Sequence, residues 1–218
     1  MKNKIVLFIL FVLPIVAYLF FSSGVHSFAK LPIINEQKLQ LPEWGHSDLD
    51  SILTFENRIT VLGFAGRNLN EHKGNAFNLN QKIYNKVREF KDFQLIMIAP
   101  DGTQEGIQEI KEELSRISDF SRWHYLYASE ADILQFYNTL KLNESLDHNL
   151  GSPYVYIIDK NGLLRGRKGK NKKGEDEYRE GYNTISAADL HNEMGDDIKI
   201  ILAEYRLALK KNTADRKK

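Results

Sequence analysis

Apolar residues recur along the chain with two spacings, which predict two kinds of element. Short runs rich in β-branched and aromatic residues are typical of strands buried in a sheet. Longer segments with apolar residues three or four positions apart are typical of helices that pack by one face. The predicted strands are residues 58–64, 93–99, 123–128, 154–158 and 163–167. The predicted helices are residues 75–90, 103–117, 130–140 and 186–211.

In chain order these segments give the succession β-α-β-α-β-α-β-β-α. Alternating strands and helices are typical of an α/β domain, in which helices cover both faces of a sheet. The last two strands flank Asn161 and Gly162, a dipeptide that favours a tight hairpin. The sequence therefore predicts a three-layer α/β domain that ends in a hairpin and a long helix.

A different pattern occupies the N-terminus, where residues 5–21 form an apolar run interrupted only by Pro14. Extended by the small residues that follow it, this run approaches the ~20 residues that cross a bilayer. Lys2 and Lys4 precede it, which places residues 1–4 in the cytoplasm and the rest of the chain on the other side. We expect one uncleaved transmembrane helix. A cleaved signal sequence is the alternative, although its apolar core usually has only about 7–15 residues.

The segment after the predicted anchor, residues 22–47, shows little periodicity and contains Pro32 and Pro42. Such a segment is typical of a tether, here with one early strand at residues 31–34. The folded domain is then predicted to span residues 48–211, and residues 212–218 form a basic tail.

Composition narrows the possible chemistry. The 218 residues include no cysteine, so disulfide exchange, thiol catalysis and iron–sulfur chemistry are excluded. The 30 basic and 29 acidic residues nearly balance, which argues against a nucleic-acid partner. Because no nucleotide-binding or nucleophile motif is present either, we expect no cofactor and no enzyme of a familiar class.

The element order, with Ser152-Pro153 directly before the first hairpin strand, resembles the thioredoxin superfamily over residues 48–211. The N-terminal anchor and the terminal helix further resemble the Sco family of membrane-anchored copper-binding proteins. In that family a strand ending in Gly-Phe precedes a CxxxC loop, and an Asp-His pair lies shortly before the hairpin. Gly63-Phe64 and Asp147-His148 match these two motifs, whereas Arg67 and Glu71 stand where the two cysteines would be.

This resemblance implies that Pro153 follows a cis peptide bond and faces the loop at Arg67. It also implies a bacterial inner-membrane protein whose domain lies in the periplasm, linked to respiratory or redox-protein assembly. Copper binding is not expected, because Cu(I) prefers sulfur ligands and Arg67 would put a fixed positive charge in the site.

Three groups of polar residues are candidates for other roles. His148 with His72 or Glu71 could bind a cation such as zinc. Arg67, His72 and Lys73 could hold an anion at the start of a helix, although an ordinary solvated loop explains them better. A basic segment could dock an acidic partner or anionic lipid, or form an exposed mobile loop. Its candidate docking residues are Arg165, Arg167, Lys168, Lys170, Lys172 and Lys173.

Taken together, the sequence predicts a membrane-anchored, non-redox binding or assembly module with an unidentified protein partner. The degenerate active-site face would consist of Arg67, Glu71, His72, His148 and Pro153. A metal-binding protein and an enzyme of unrecognised chemistry are the two alternatives.

We expect the full-length protein to sediment with membranes and to resist carbonate extraction, because its apolar N-terminal run should stay in the bilayer. A version that lacks residues 1–21 should move to the soluble fraction. Immunoblots of the two fractions measure both outcomes. A fully soluble product that begins between Ser22 and Ser27 would show that the run is a cleaved signal sequence.

Overall fold

The computed structural model describes residues 8, 10–16, 18, 30–44, 46–47, 53–171 and 173–215. No helix among these residues is both long enough and apolar enough to cross a bilayer. Residues 5–7, 9, 17 and 19–21 of the predicted anchor lie outside the described part of the chain, and the anchor stays a prediction.

One mixed sheet forms the centre of the domain, with strand order β1-β7-β6-β3-β4-β5-β2 and β10 added beside β6. β3, β4 and β5 run parallel, whereas β6 is antiparallel to β3 and β7 is antiparallel to β6. A separate hairpin, β8 with β9, follows β7. The strands are β1 Ile33–Asn35, β2 His46–Ser47, β3 Ile59–Ala65, β4 Phe93–Pro100, β5 Trp123–Ala128, β6 Gly151–Ile158, β7 Leu164–Arg165, β8 Arg167–Lys170, β9 Asp176–Arg179 and β10 Tyr182–Asn183.

Helices connect the strands and cover both faces of the sheet. The first helical run comprises α1 (Leu69–Leu79), a π-helical segment (Asn80–Tyr84) and the short α2 (Asn85–Val87). α3 spans Gln104–Ser115 and α4 spans Glu130–Leu140. The last helical run is a π-helical segment (Asp189–Met194) continued by α5 (Gly195–Asp215).

The core has two halves because successive side chains of a strand point to opposite faces of the sheet. In β3, Ile59 and Val61 pack with the first and last helical runs, whereas Leu62 and Phe64 pack with α4. All seven β3 residues are buried, which explains why this strand reads as a continuous apolar run and not as an alternation.

The strand order β7-β6-β3-β4, with α1 after β3, α3 after β4 and the last helical run after β10, is that of a thioredoxin-like domain. The predicted α/β class and the central succession of strands and helices are therefore confirmed. The small strands β2, β8, β9 and β10 were not predicted. They have two to four residues each, too few for a periodic pattern to be visible.

Part of the predicted tether belongs to the sheet. β1 pairs with β7, and Leu31 and Leu39 are buried in the two halves of the core. The Leu39 amide also donates to the Gly162 carbonyl at 2.8 Å, in the turn between β6 and β7. In the structure the domain thus includes residues well before position 48, because isolated leucines become core residues once the hairpin lies beside them.

The cis peptide bond implied at Ser152-Pro153 is wrong, since the described residues include no cis peptide bond. β6 instead runs extended through Pro153, at a shift of register between Gly63 and Ala65 of β3. A proline has no N–H to donate to the ladder, so an irregularity of this kind tolerates it. Its carbonyl accepts from the Thr184 amide at 2.8 Å and from the Thr184 hydroxyl at 2.7 Å.

Arg165, predicted as a docking residue, lies in the interior. Its guanidinium donates to Asp159 Oδ2 at 2.7 Å, to Glu204 Oε2 at 2.7 Å and to the Leu31 carbonyl at 2.8 Å. The side chains of Arg165 and Asp159 are only 5% and 0% exposed. Burial lowers the pKa of Arg165, but its bond to Asp159 and the nearby charges raise the pKa above its usual value overall. One cation therefore joins a hairpin, the N-terminal segment and α5.

Arg167 is likewise engaged with acidic residues of the domain. It contacts both oxygens of Asp197, at 2.7 and 3.1 Å, as well as Glu177 and Glu193. Lys168, Lys170 and Lys173 are exposed, and Lys172 lies outside the described residues. Among the described cations of this basic segment, Lys168, Lys170 and Lys173 are thus the ones that lie on the surface.

Arg165→Met should lower the free energy of unfolding by about 3–5 kcal/mol, because it leaves the Asp159 carboxylate buried without its cation. Urea unfolding followed by circular dichroism measures the change. The matched control is Lys170→Met, which breaks an exposed pair with Asp176 and should cost less than about 1 kcal/mol. Equal losses for the two variants would contradict the structural role of Arg165.

Candidate functional site

The candidate site lies where β3 ends and β6 begins. The chain leaves β3 through Gly66, and the Arg67 amide donates to the Asn149 carbonyl at 2.8 Å. Arg67 and the loop of residues 147–151 are thereby held against each other. Two segments that are 82 residues apart in sequence, counted from Arg67 to Asn149, therefore lie side by side.

Gly66 permits this close approach. Its backbone has φ +69°, a conformation that favours glycine, and a Cβ added to it would lie 2.7 Å from Gly151 Cα and 2.8 Å from Gly151 N. A side chain at position 66 would therefore push the two segments apart. The pairing of Ala65 with Gly151 shows that the sheet continues up to this contact.

Asp147 organises the second loop. Its Oδ1 accepts from the amides of Asn149, at 2.8 Å, and Gly151, at 2.9 Å. The Asp147 amide donates to the Gly151 carbonyl at 2.9 Å, and Leu150 adopts φ +64°. The carboxylate predicted by the Asp-His motif thus shapes the loop that presents His148.

His148 is exposed, and its Nε2 lies 3.0 Å from the Asn149 side-chain nitrogen. The described residues include no group of three or more His, Asp and Glu side chains that could hold a metal ion. The side chains of Glu71 and His72, the other predicted ligands, lie outside the described residues. The metal hypothesis therefore stays a prediction.

Arg67 and Lys73, two of the cations predicted to hold an anion, have acidic partners. Arg67 Nη2 lies 3.1 Å from Glu130 Oε2, at the start of α4, and Lys73 Nζ lies 2.5 Å from Glu113 Oε1, on α3. Both pairs are partly exposed, so each contributes little to stability. Their consequence is electrostatic: the position expected for a thiol carries a cation, and a carboxylate from a neighbouring helix balances it.

The space behind this face is small. A cavity of about 40 Å³ lies under Ala65 and Ser152 and reaches Trp123, whose Nε1 has no hydrogen-bond partner. Sites for organic ligands usually measure roughly 300–1,000 Å³, so this cavity can take only a water molecule or two. In the other half of the core, burial raises the pKa of Tyr156 well above its usual value, which keeps this hydroxyl protonated.

Sequence reasoning missed three residues of the site: Asn149, Glu130 and Glu113. Glu130 follows Ser129, whose side chain accepts from the Asp132 amide and caps α4. An acidic residue in the first turn of a helix is common, so nothing in the sequence distinguished it. Its contact with Arg67 exists only because α4 begins at the same edge of the sheet where β3 ends.

No protein-family profile and no curated protein matches the chain. Solved structures are similar to it. The thioredoxin domain of a thiol-disulfide oxidoreductase from Bacteroides vulgatus is 15% identical, over 78% of this chain and 98% of that one, with a TM-score of 0.44. A putative electron transfer protein from Aquifex aeolicus is 14% identical, over 68% and 86% of the two chains, with a TM-score of 0.43.

A third similar structure is BsSco, a member of the Sco family of cytochrome c oxidase assembly proteins. It is 13% identical, over 68% of this chain and 82% of that one, with a TM-score of 0.45. The similar structures thus include a thioredoxin domain and a member of the Sco family. The present chain differs in having no cysteine.

Gly66→Ala should lower the free energy of unfolding by about 2–3 kcal/mol, because the new Cβ meets backbone atoms in a left-handed conformation. Thermal and urea unfolding measure the loss. Gly74→Ala is the matched control: this glycine lies within α1, with nothing within 4 Å of its Cβ position. It should stabilise the domain by about 0.5–1 kcal/mol. A neutral Gly66→Ala would show that the two loops are not tightly apposed.

Proposed function

We propose that the chain is a membrane-anchored, non-redox binding or assembly module. Its thioredoxin-like domain would face the periplasm of a bacterium from the inner membrane and serve respiratory or redox-protein assembly. The observation that carries this proposal is the pairing of Arg67 with Glu130 at 3.1 Å. The site of the fold that otherwise presents a thiol here presents a balanced pair of charges.

Such a face suits binding better than catalysis. Its backbone is fixed by the bonds from Asp147 and from the Arg67 amide, so little conformational freedom is lost when a partner binds. Arg67, Glu130 and His148 are exposed. They supply hydrogen-bond donors and acceptors together with charges of both signs. Exposed charges of this kind contribute little to the affinity of a complex. They favour a partner whose surface charges are complementary, and they raise the rate at which the two proteins associate.

The predicted anchor supports the same proposal. A domain held close to one membrane meets membrane partners at a raised effective concentration, so a modest surface affinity suffices. The N-terminal segment enters the domain at Leu31, whose carbonyl is bound by Arg165. The tether therefore has a fixed point of attachment on the domain.

A photo-crosslinking amino acid at position His148 should yield a discrete adduct with a membrane protein, because this side chain lies at the centre of the proposed binding face. The experiment uses the full-length protein in its native membrane, with immunoblotting and mass spectrometry of the adduct. Arg67→Glu should reduce the adduct severalfold, because it places two carboxylates side by side and reverses the charge of the face.

The same crosslinker at Ile33 serves as the control. Ile33 is 41% exposed and lies in β1, which pairs with β7 beside the end of β6 that is remote from Gly151. It should give no such adduct. Equal yields from positions 148 and 33, or an adduct insensitive to Arg67→Glu, would contradict the proposed face.

A further inference from the structure

A second surface lies far from the candidate site, between the end of the first helical run and α5. It is a groove of about 340 Å³, which we call the helical groove. Ile83 and Val87 line one side and Ile198 and Leu202 line the other, each pair one helical turn apart. Phe90 lies at one end and is 45% exposed. The groove thus offers a continuous apolar floor along two helices.

Every charged residue that lines the helical groove is basic. Lys82 and Lys86 stand on one bank, four residues apart, and Lys199 and Arg206 stand on the other. Lys86 Nζ lies 2.9 Å from His191 Nδ1, and Lys199 pairs with Asp196 in a contact that is 70% and 61% exposed. A pair so exposed contributes little, so Lys199 can turn to a stronger anionic partner.

The arrangement of these charges narrows the ligand. A fatty acid carries one carboxylate at one end, whereas this groove has two cations along each bank. A bilayer surface is flat, whereas the apolar floor here is recessed between two helices. An acidic amphipathic helix fits both the recessed apolar floor and the cations on the two sides, because it carries an apolar stripe flanked by several carboxylates.

The dimensions agree with such a helix. On α5 the groove is lined from Ile198 to Arg206, eight residue steps apart, which corresponds to about 12 Å along the helix axis. Two turns of a partner helix have this length, and they present apolar residues at positions i, i+3, i+4 and i+7. Acidic residues beside that stripe would lie within reach of the lysines on both banks.

We propose that the helical groove binds an acidic amphipathic helix of a partner protein. The groove lies at the opposite edge of the sheet from Arg67: α1 begins beside Arg67, and the first helical run ends near Phe90, whose carbonyl accepts from Phe93 at the start of β4. This proposal is independent of the proposed binding face, and either can fail alone.

The test uses the full-length protein in nanodiscs of phosphatidylcholine and a designed 18-residue helical peptide, labelled with fluorescein. The peptide carries leucine at helical spacing and glutamate on both flanks. Fluorescence anisotropy should show saturable binding. A peptide with lysine in place of each glutamate should bind at least tenfold more weakly. Equal binding of the two peptides, or no binding of the acidic one, would overturn the proposal.

Charge-reversal variants locate the site. Lys82→Glu combined with Lys86→Glu should weaken binding of the acidic peptide at least tenfold, and Phe90→Ala should weaken it severalfold with little effect on folding, since this ring is exposed. Lys168→Glu combined with Lys170→Glu, on the exposed β8, is the matched control and should leave binding unchanged. Circular dichroism confirms that each variant is folded.

Two further outcomes would overturn the proposal. One is binding that is insensitive to both Lys82→Glu/Lys86→Glu and Phe90→Ala. The other is failure of the peptide together with Lys82-dependent binding to phosphatidylglycerol vesicles, which would assign the groove to an anionic membrane surface. Vesicles of phosphatidylcholine alone provide the reference for this second measurement.

Discussion

The buried pair of Arg165 and Asp159 is the interaction on which the rest of the structure depends. A charge that is 5% exposed is stable only when it is paired and hydrogen-bonded, and Arg165 meets this requirement with three separate parts of the chain. The hairpin of β6 and β7, the entry of the chain at Leu31 and the helix α5 are consequently fixed to one another. The segment that enters the domain at Leu31 and the helix α5, which lines the helical groove, are therefore held by the same side chain.

The same hairpin positions the candidate site at its other end. β6 starts at Gly151, and a Cβ on Gly66 would lie only 2.7 Å from Gly151 Cα, so the glycine at position 66 lets the two backbone segments approach closely. The result is a rigid face with an Arg67–Glu130 pair in place of sulfur. This face and the helical groove lie at opposite edges of the sheet, so under the two proposals each would bind its partner separately, and neither proposal needs the chemistry of a thiol.

The sequence predicted the elements well where burial imposed a pattern. β5 and α4 have the predicted bounds, because a run of aromatic residues identifies the strand and apolar residues at helical spacing identify the helix. It failed where a residue's role depended on distant contacts. The neighbouring lysines and glycines predict an exposed loop at Arg165. Its guanidinium instead pairs in the interior with the carboxylates of Asp159 and Glu204.

By itself, the sequence determined the α/β class, the loss of thiol chemistry and the apolar N-terminal run, because composition and periodicity record which residues are buried and which chemistry is absent. Only the tertiary structure decided that Pro153 follows a trans bond, that Arg67 pairs with Glu130 and that two helices leave a basic groove. The physical reason is the sequence separation of the residues that interact. Periodicity reports neighbours a few residues apart, whereas charge pairing and groove shape depend on residues that only folding brings together.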